Sequence, residues 1–507
     1  MKNSLIEIND FKGGATLNEK MGNTDQFHIG TNLDFGSKAG YLTCGYGWTN
    51  MQYSSSINMP TEFQCMLHAM KDGNFYLGGE DTKLYKMSST GEIDVAVDSD
   101  QPGIIRSLAE YYGYLYYIQD TTLGRSDLAG TPNYDHDWQT GLTTADYHSL
   151  FISADGKLYG GHGQYIFSYN NTTFTPSALD LADYWKVRCL ADFGYLYLAI
   201  GANYYAGSER PQKSKIFLWD RVSTTWQDEI IIPENEIKAM WFASGYLWVI
   251  AGRSCNIYVV PEGSRKATKV WTFVKEDPNQ EIEVYPNAIL SRGGTIYFAL
   301  SNVDILSYIK NPAGIYSFPT EPDKFSLNLV RMGGAGGGYK EKWKSLGMFR
   351  EVAGTGGDVL FAGWRNYQIV SSEYNRLSRE NLFNETTPYD YGIYYSFRYE
   401  APKNKKLFTD AFGVIFDPLP AGCSLDLYVS RDIDVTNVGV GTWINTSGWQ
   451  EIFSTMNIAN TREKIIYKRL EGNSLQLKLT ITPSSTTKNR PFIKSLYVTG
   501  SLKSKVK

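Results

Sequence analysis

The chain lacks several features that would place it in a functional class at once. Its 507 residues hold no apolar run approaching the ~18 residues that a membrane-spanning helix needs. Its five cysteines, Cys44, Cys65, Cys189, Cys255 and Cys423, are scattered, odd in number and never spaced as C-x-x-C. That argues against a disulfide framework or a structural zinc site, and for buried thiols folded in a reducing compartment. Histidine is equally sparse: His28, His68, His136, His148 and His162, with no H-E-x-x-H and no pair at i, i+4. No metal and no cofactor is therefore expected. A G-x-S-x-G nucleophile elbow is missing. The glycine-rich stretch 333–338 has no Lys-Ser/Thr ending and does not run from a strand into a helix, so it reads as a loop and not as a phosphate cradle. The first ten residues carry no apolar h-region, so a secretory route is not expected. The net charge is −4, without the broad basic field of a protein that reads nucleic acid by sequence.

Aromatics and glycine are what the chain has in excess: 37 Tyr, 24 Phe, 12 Trp and 48 Gly. The combination suits short strands joined by tight turns. One phrase recurs, a Gly at a turn followed by an apolar-aromatic strand. Its copies are Asp72-Gly73-Asn74-Phe75-Tyr76-Leu77, Tyr112-Gly113-Tyr114-Leu115-Tyr116, Asp155-Gly156-Lys157-Leu158-Tyr159, Phe193-Gly194-Tyr195-Leu196-Tyr197, Ser244-Gly245-Tyr246-Leu247-Trp248, Gly293-Gly294-Thr295-Ile296-Tyr297 and Gly356-Gly357-Asp358-Val359-Leu360. From Gly73 to Gly357 the spacings are 40, 43, 38, 51, 49 and 63 residues. A second strand usually follows, as in Lys215-Ile216-Phe217-Leu218-Trp219. A period near 40–45 residues with about four strands per unit is the pattern of a β-propeller blade. A four-stranded sheet cannot bury both faces alone, so such units stack around an axis, and aromatics fill the wedge between them. The fold expected is all-β: a propeller of about seven blades over residues 60–384.

The flanks differ. Residues 1–59 are polar and glycine-rich, and read as an N-terminal arm plus a strand that closes the propeller ring. From 385 to 507 the phrase disappears and period-two strands replace it, such as Leu425-Asp426-Leu427-Tyr428-Val429 and Leu475-Gln476-Leu477-Lys478-Leu479. One wet and one dry face per strand predicts a C-terminal β-sandwich, jelly-roll-like. The polar segment 373–381 between the two reads as a hinge or a single helical turn.

Catalysis is not expected. A propeller glycosidase would place paired carboxylates in its central funnel, and sequence alone does not say which of 53 acidic residues converge. The sialidase turn S-x-D-x-G-x-x-W is approached only at Ser153-Ala154-Asp155-Gly156, where Gly follows Asp directly and the aromatic is misplaced. Trp219-Asp220 is a lone W-D pair without its G-H partner. Asp72 and Asp155 read as turn residues.

The N-terminus carries a resemblance. Ile8-Asn9-Asp10-Phe11-Lys12-Gly13-Gly14-Ala15-Thr16, followed by Gln26-Phe27 and Asn32-Leu33-Asp34, resembles the "N-D-F-x-G-G-x-x-T…F…N-x-D" opening of tailed-bacteriophage structural proteins with propeller bodies. The stretch from Ala411 to Pro420, running into Leu427-Tyr428-Val429-Ser430-Arg431-Asp432, looks like their terminal sandwich. The resemblance implies a virion component of the tail, a nozzle, tip or fibre-attachment ring. It would be made in the host cytoplasm and act by assembly with other tail proteins and with copies of itself. Ile6, Ile8 and Phe11 are then the candidates for an arm that adds a strand to a neighbouring subunit. The alternatives are a host-glycan adhesin, with Trp443 and Trp449 as stacking platforms, and a propeller glycosidase.

Overall fold

A computed structural model describes residues 4–504, apart from residues 10, 12–13, 16–25, 28, 35–40, 51–59, 61, 88–102, 130–131, 208, 274–281, 303–312, 326, 333–340, 351–357, 367–374, 382–388, 397–398, 432–448 and 457–461. Among the described residues the chain is built of strands, with one short 3-10 turn at Pro322–Lys324 and no helix long and apolar enough to cross a membrane. The loop 333–338 and the turn Gly356-Gly357 lie outside the described residues.

Seven antiparallel sheets follow one another along the chain. Their innermost strands are Phe63–Ala69, Ser107–Tyr111, Leu150–Ile152, Trp185–Phe193, Ile237–Ala243, Ile289–Arg292 and Glu341–Phe349, which define blades 1 to 7. Each innermost strand packs on the next, and Glu341–Phe349 packs back on Phe63–Ala69, so the ring is closed. The burial pattern gives the same count independently, with one apolar cluster filling each of the seven gaps between blades. The gap between blades 1 and 2 holds Cys65, Tyr76 and Leu84 against Leu108, Leu115 and Tyr117. The closing gap holds Phe63, Phe75 and Leu77 against Phe349 and Phe361.

The repeated phrase has a local cause. Gly73, Gly113, Gly156, Gly194, Gly245 and Gly294 all have φ between 64° and 78°, in the turn that opens each blade's first hairpin. Side chains rarely tolerate that region, and Gly enters it without steric cost. Asp72 and Asp155 brace the same turns by accepting the Tyr76 and Tyr159 hydroxyls at 2.8 and 2.7 Å. Neighbouring blades are tied at this rim: Glu110 of blade 2 accepts the Met70 and Lys71 amides of blade 1. Asp192 of blade 4 accepts the Ser153 hydroxyl and the Ala154 amide of blade 3.

Blade 7 closes with strands from both ends of the propeller sequence. Its third strand is Asn375–Glu380, and its fourth is Trp48–Asn50 from the N-terminal segment, paired as Ser378 to Asn50 and Glu380 to Trp48. The expected hinge or helical turn at 373–381 is therefore corrected to a blade strand over its described part. Leu377 and Ser378 are fully buried in it, and a single apolar residue among polar ones hides the strand from a hydropathy reading.

The C-terminal region is a two-sheet sandwich. One sheet runs Ser4–Asn9, Ile493–Ser504, Lys405–Phe416, Glu463–Tyr467. The other runs Trp449–Met456, Ser424–Arg431, Ser474–Thr482, Gly392–Tyr395. Inward residues alternate as period two demands: Leu475, Leu477, Leu479 and Ile481 face Phe412, Val414, Leu496 and Val498 in one core. The second sheet does not stop at Gly392–Tyr395. It continues through the N-terminal strand Ile29–Thr31, which pairs with Gly392–Tyr395 on one side and with blade 6 at Leu329 on the other.

Candidate functional site

The N-terminal residues carry a different task from the one the sequence suggests. Ile6 and Ile8 sit opposite Val498 and Leu496 of the chain's own last strand. Ile6, Ile8 and Phe11 are 3%, 1% and 2% exposed in the sandwich core, where the Phe11 ring meets Tyr394 edge-on at 5.5 Å. An arm docking on an adjacent subunit is thus corrected to an edge strand of the chain's own sandwich. The same alternation of apolar residues serves either sheet edge, and here the C-terminal strand is the one within reach.

Farther along, Asn32, Leu33 and Asp34 form the joint between propeller and sandwich. The Asn32 backbone N–H donates to Leu329 O of blade 6 at 2.8 Å. Its Nδ2 donates to Asp390 O and Tyr391 O, at the start of the sandwich, at 3.2 and 3.3 Å. Asn328 Nδ2 of blade 6 returns a bond to Leu33 O at 2.6 Å. Asp34 accepts from Arg490 at 2.8 Å, and the same guanidinium reaches Cys44 O at 2.6 Å. Asn32 adopts φ 50°, a region Asn tolerates better than most side chains. Four segments far apart in sequence thereby share one hydrogen-bonded knot.

The two tryptophans considered for glycan stacking are not brought together. Trp443 lies outside the described residues. Trp449 begins an edge strand, half-buried, with its ring edge-on to Tyr395 at 5.7 Å. The described histidines are spread through the blades: His68 stacks on Phe349 at 4.2 Å, and His162 accepts the Thr143 amide at 3.1 Å. No group of His, Cys, Asp or Glu suited to a metal ion occurs among the described residues. All five thiols are free and buried.

The propeller axis holds the densest polar chemistry. Arg188 of blade 4 and Lys238 of blade 5 are 3% and 0% exposed at their side chains, and they share Glu236 and Glu283. Arg188 donates to Glu283 at 2.6 Å and to Lys238 O at 3.3 Å, and it lies 3.3 Å from the Tyr147 ring centroid of blade 3. Lys238 binds Glu283 directly and Glu236 at 3.2 Å. Burial disfavours the Lys238 ammonium, but the Glu283 and Glu236 carboxylates more than offset it and raise its pKa. Glu236 and Glu283 are thus both paired with buried cations, burial raising the Glu283 pKa while Lys238 and Arg188 hold that of Glu236 down.

At one end of the axis, where the innermost strands begin, a cavity of about 280 Å³ opens. Arg106, Lys342 and Lys344 line it together with Tyr147, Tyr285 and Asn287. Behind its wall the buried Glu62 binds Lys344 at 2.5 Å and lies 3.8 Å from Lys342 and 3.6 Å from Arg365. Asn287 Nδ2 spans the mouth from blade 6, donating to Gln64 O of blade 1 at 2.9 Å and to Arg106 O of blade 2 at 2.6 Å. His148 donates from Nδ1 to Gly161 O, and burial pushes its pKa down to about 4, so the ring is neutral.

Sequence reasoning missed this axial set. A signal was present: in six blades a polar residue stands six to nine positions before the repeat Gly, namely Gln64, Arg106, His148, Arg188, Lys238 and Asn287. That offset places it at the start of each innermost strand, facing the axis.

No protein-family model matches the sequence. No curated protein matches it either. Among solved structures the chain is similar to the β-propeller domain of Cps50 (Swd1) from Myceliophteria thermophila, at 13% identity over 66% of this chain and 99% of that one, with a TM-score of 0.44. It is also similar to a chain of the mitotic checkpoint complex, at 11% identity over 65% of this chain and 92% of that one, with a TM-score of 0.41. The strand pairing and the seven inter-blade clusters make the chain an all-β propeller with a C-terminal β-sandwich.

Proposed function

We propose that the chain is a structural component of a tailed-phage virion, part of the tail, and that it works by protein–protein assembly and not by catalysis. One observation carries this reading. Of the N-terminal residues that resemble the opening of tailed-phage structural proteins, Phe11 packs in the sandwich core and Asn32-Leu33-Asp34 fasten propeller to sandwich. Axial carboxylates held in ion pairs favour a load-bearing scaffold over a hydrolase. Surface for assembly is available on one rim, where the turns of blades 1, 2 and 4 expose Met70, Tyr112, Tyr195, Leu196 and Val222. Its partners in this reading are other tail proteins and copies of itself, and its place is the virion tail. Immunogold electron microscopy of tailed particles, with antibodies against the purified chain, tests the assignment. Label on the tail is the expected result; label confined to capsids, or particles without label, overturns it.

A further inference from the structure

We propose that the cavity at the mouth of the propeller axis binds a small oxyanion, a phosphate or carboxylate group borne on a body no larger than a hexose. The volume, about 280 Å³, lies at the small end of ligand pockets. Three cations, Arg106 from blade 2 and Lys342 and Lys344 from blade 7, line it against a single carboxylate, Asp146. Their counter-charges stand outside the lumen. Asp120 holds Arg106 through Nε and Nη2 at 3.3 and 3.1 Å. Glu62, 4% exposed, anchors Lys344. The cationic heads are therefore fixed before any ligand arrives, while the excess of charge that faces the cavity is positive. Donors held in place from behind lose little entropy on binding an anion.

The rest of the lining fits the same ligand. The Tyr147 and Tyr285 ring centroids lie 6.5 Å apart and give an aromatic wall for the C–H face of a sugar. The bridge from Asn287 to blades 1 and 2 keeps the mouth from collapsing. Burial pulls the Lys342 pKa down, a penalty that a bound anion relieves. The site stands independently of the tail reading.

Isothermal titration of the full chain with inorganic phosphate, glucose 6-phosphate and glucose tests the proposal. The expected result is one saturable site for the phosphates, with Kd below about 1 mM, and none for glucose. Tighter binding of glucose 6-phosphate than of phosphate marks a sugar-borne anion; equal binding marks the free ion. The Arg106→Gln/Lys342→Gln variant should weaken binding at least about tenfold, and Lys213→Gln, on an exposed lysine of blade 4, should leave it unchanged. As a readout that needs no variant, phosphate should slow acetylation of Lys342 in the native protein. No saturable phosphate binding up to about 10 mM, equal binding of glucose, or Lys342 acetylated at the same rate with and without phosphate overturns the assignment.

Discussion

Replacing Asn32 tests whether the N-terminal segment locks the two parts together. Its Nδ2 donates to two carbonyls at the start of the sandwich, Asp390 O and Tyr391 O, while its own N–H holds blade 6. Asn32→Ala removes both of these bonds, together with a longer one from Nδ2 to Gly45 O at 3.4 Å. At 3.2 and 3.3 Å the first two are long, and we take about 0.5–1 kcal/mol net for each. Alanine must also hold φ 50°, which costs about 1 kcal/mol more. The sum is about 2–3 kcal/mol, read as a lower urea midpoint and as faster hydrogen exchange in Gly392–Tyr395. Asn32→Asp separates the two causes. It keeps a residue that tolerates the backbone geometry but sets a buried carboxylate against two carbonyl oxygens. It should cost more than alanine at pH 7 and recover part of the loss in acid, where the protonated group donates again. Asn32→Asp as stable as wild type at pH 7 would refute the joint as described.

Three further outcomes follow from the geometry. Ile8→Ala should cost about 2–5 kcal/mol and Phe11→Ala about 3–5, both read in the sandwich by denaturant unfolding; an unchanged midpoint would return these residues to a role outside the chain's own core. Glu283→Ala leaves Arg188 and Lys238 buried with only Glu236 of their two shared carboxylates, and should lower stability by about 3–5 kcal/mol; a loss under about 1 kcal/mol contradicts the buried network. Burial holds the His148 pKa at about 4 against 6.5 for a free ring. As pH falls below 6.5 the unfolded chain takes the proton first, so stability drops by up to about 3 kcal/mol between pH 6.5 and 4, then levels. His148→Gln should flatten that slope, and a slope that persists in the variant assigns it to other groups.

The blades were legible because their signal is local. A Gly forced into positive φ at each hairpin turn, and aromatics on the strand after it, follow from geometry inside a single unit. The sandwich was legible for the same reason, through the alternation along Leu475-Gln476-Leu477-Lys478-Leu479. What was misread depends on partners distant in sequence. Ile6 and Ile8 announce a strand, but hydrogen bonding is identical whether the receiving edge belongs to the same chain or to another, and only the structure gives Val498 and Leu496 as neighbours. Asn375–Glu380 is a blade strand whose one apolar side chain, Leu377, is enough when two sheet neighbours supply the rest of its burial. The axial ions went unread because Arg188, Lys238 and Glu283 meet only when blades 4, 5 and 6 stand side by side.

The most direct test of the account is quantitative mass spectrometry of tailed particles purified from the source culture, with peptides of this chain measured against a capsid and a tail-tube protein. Presence at a fixed, small-integer ratio to the tail proteins, retained through gradient purification, is the predicted result. Absence from particles, or traces that vary between preparations, would contradict the assignment to the virion.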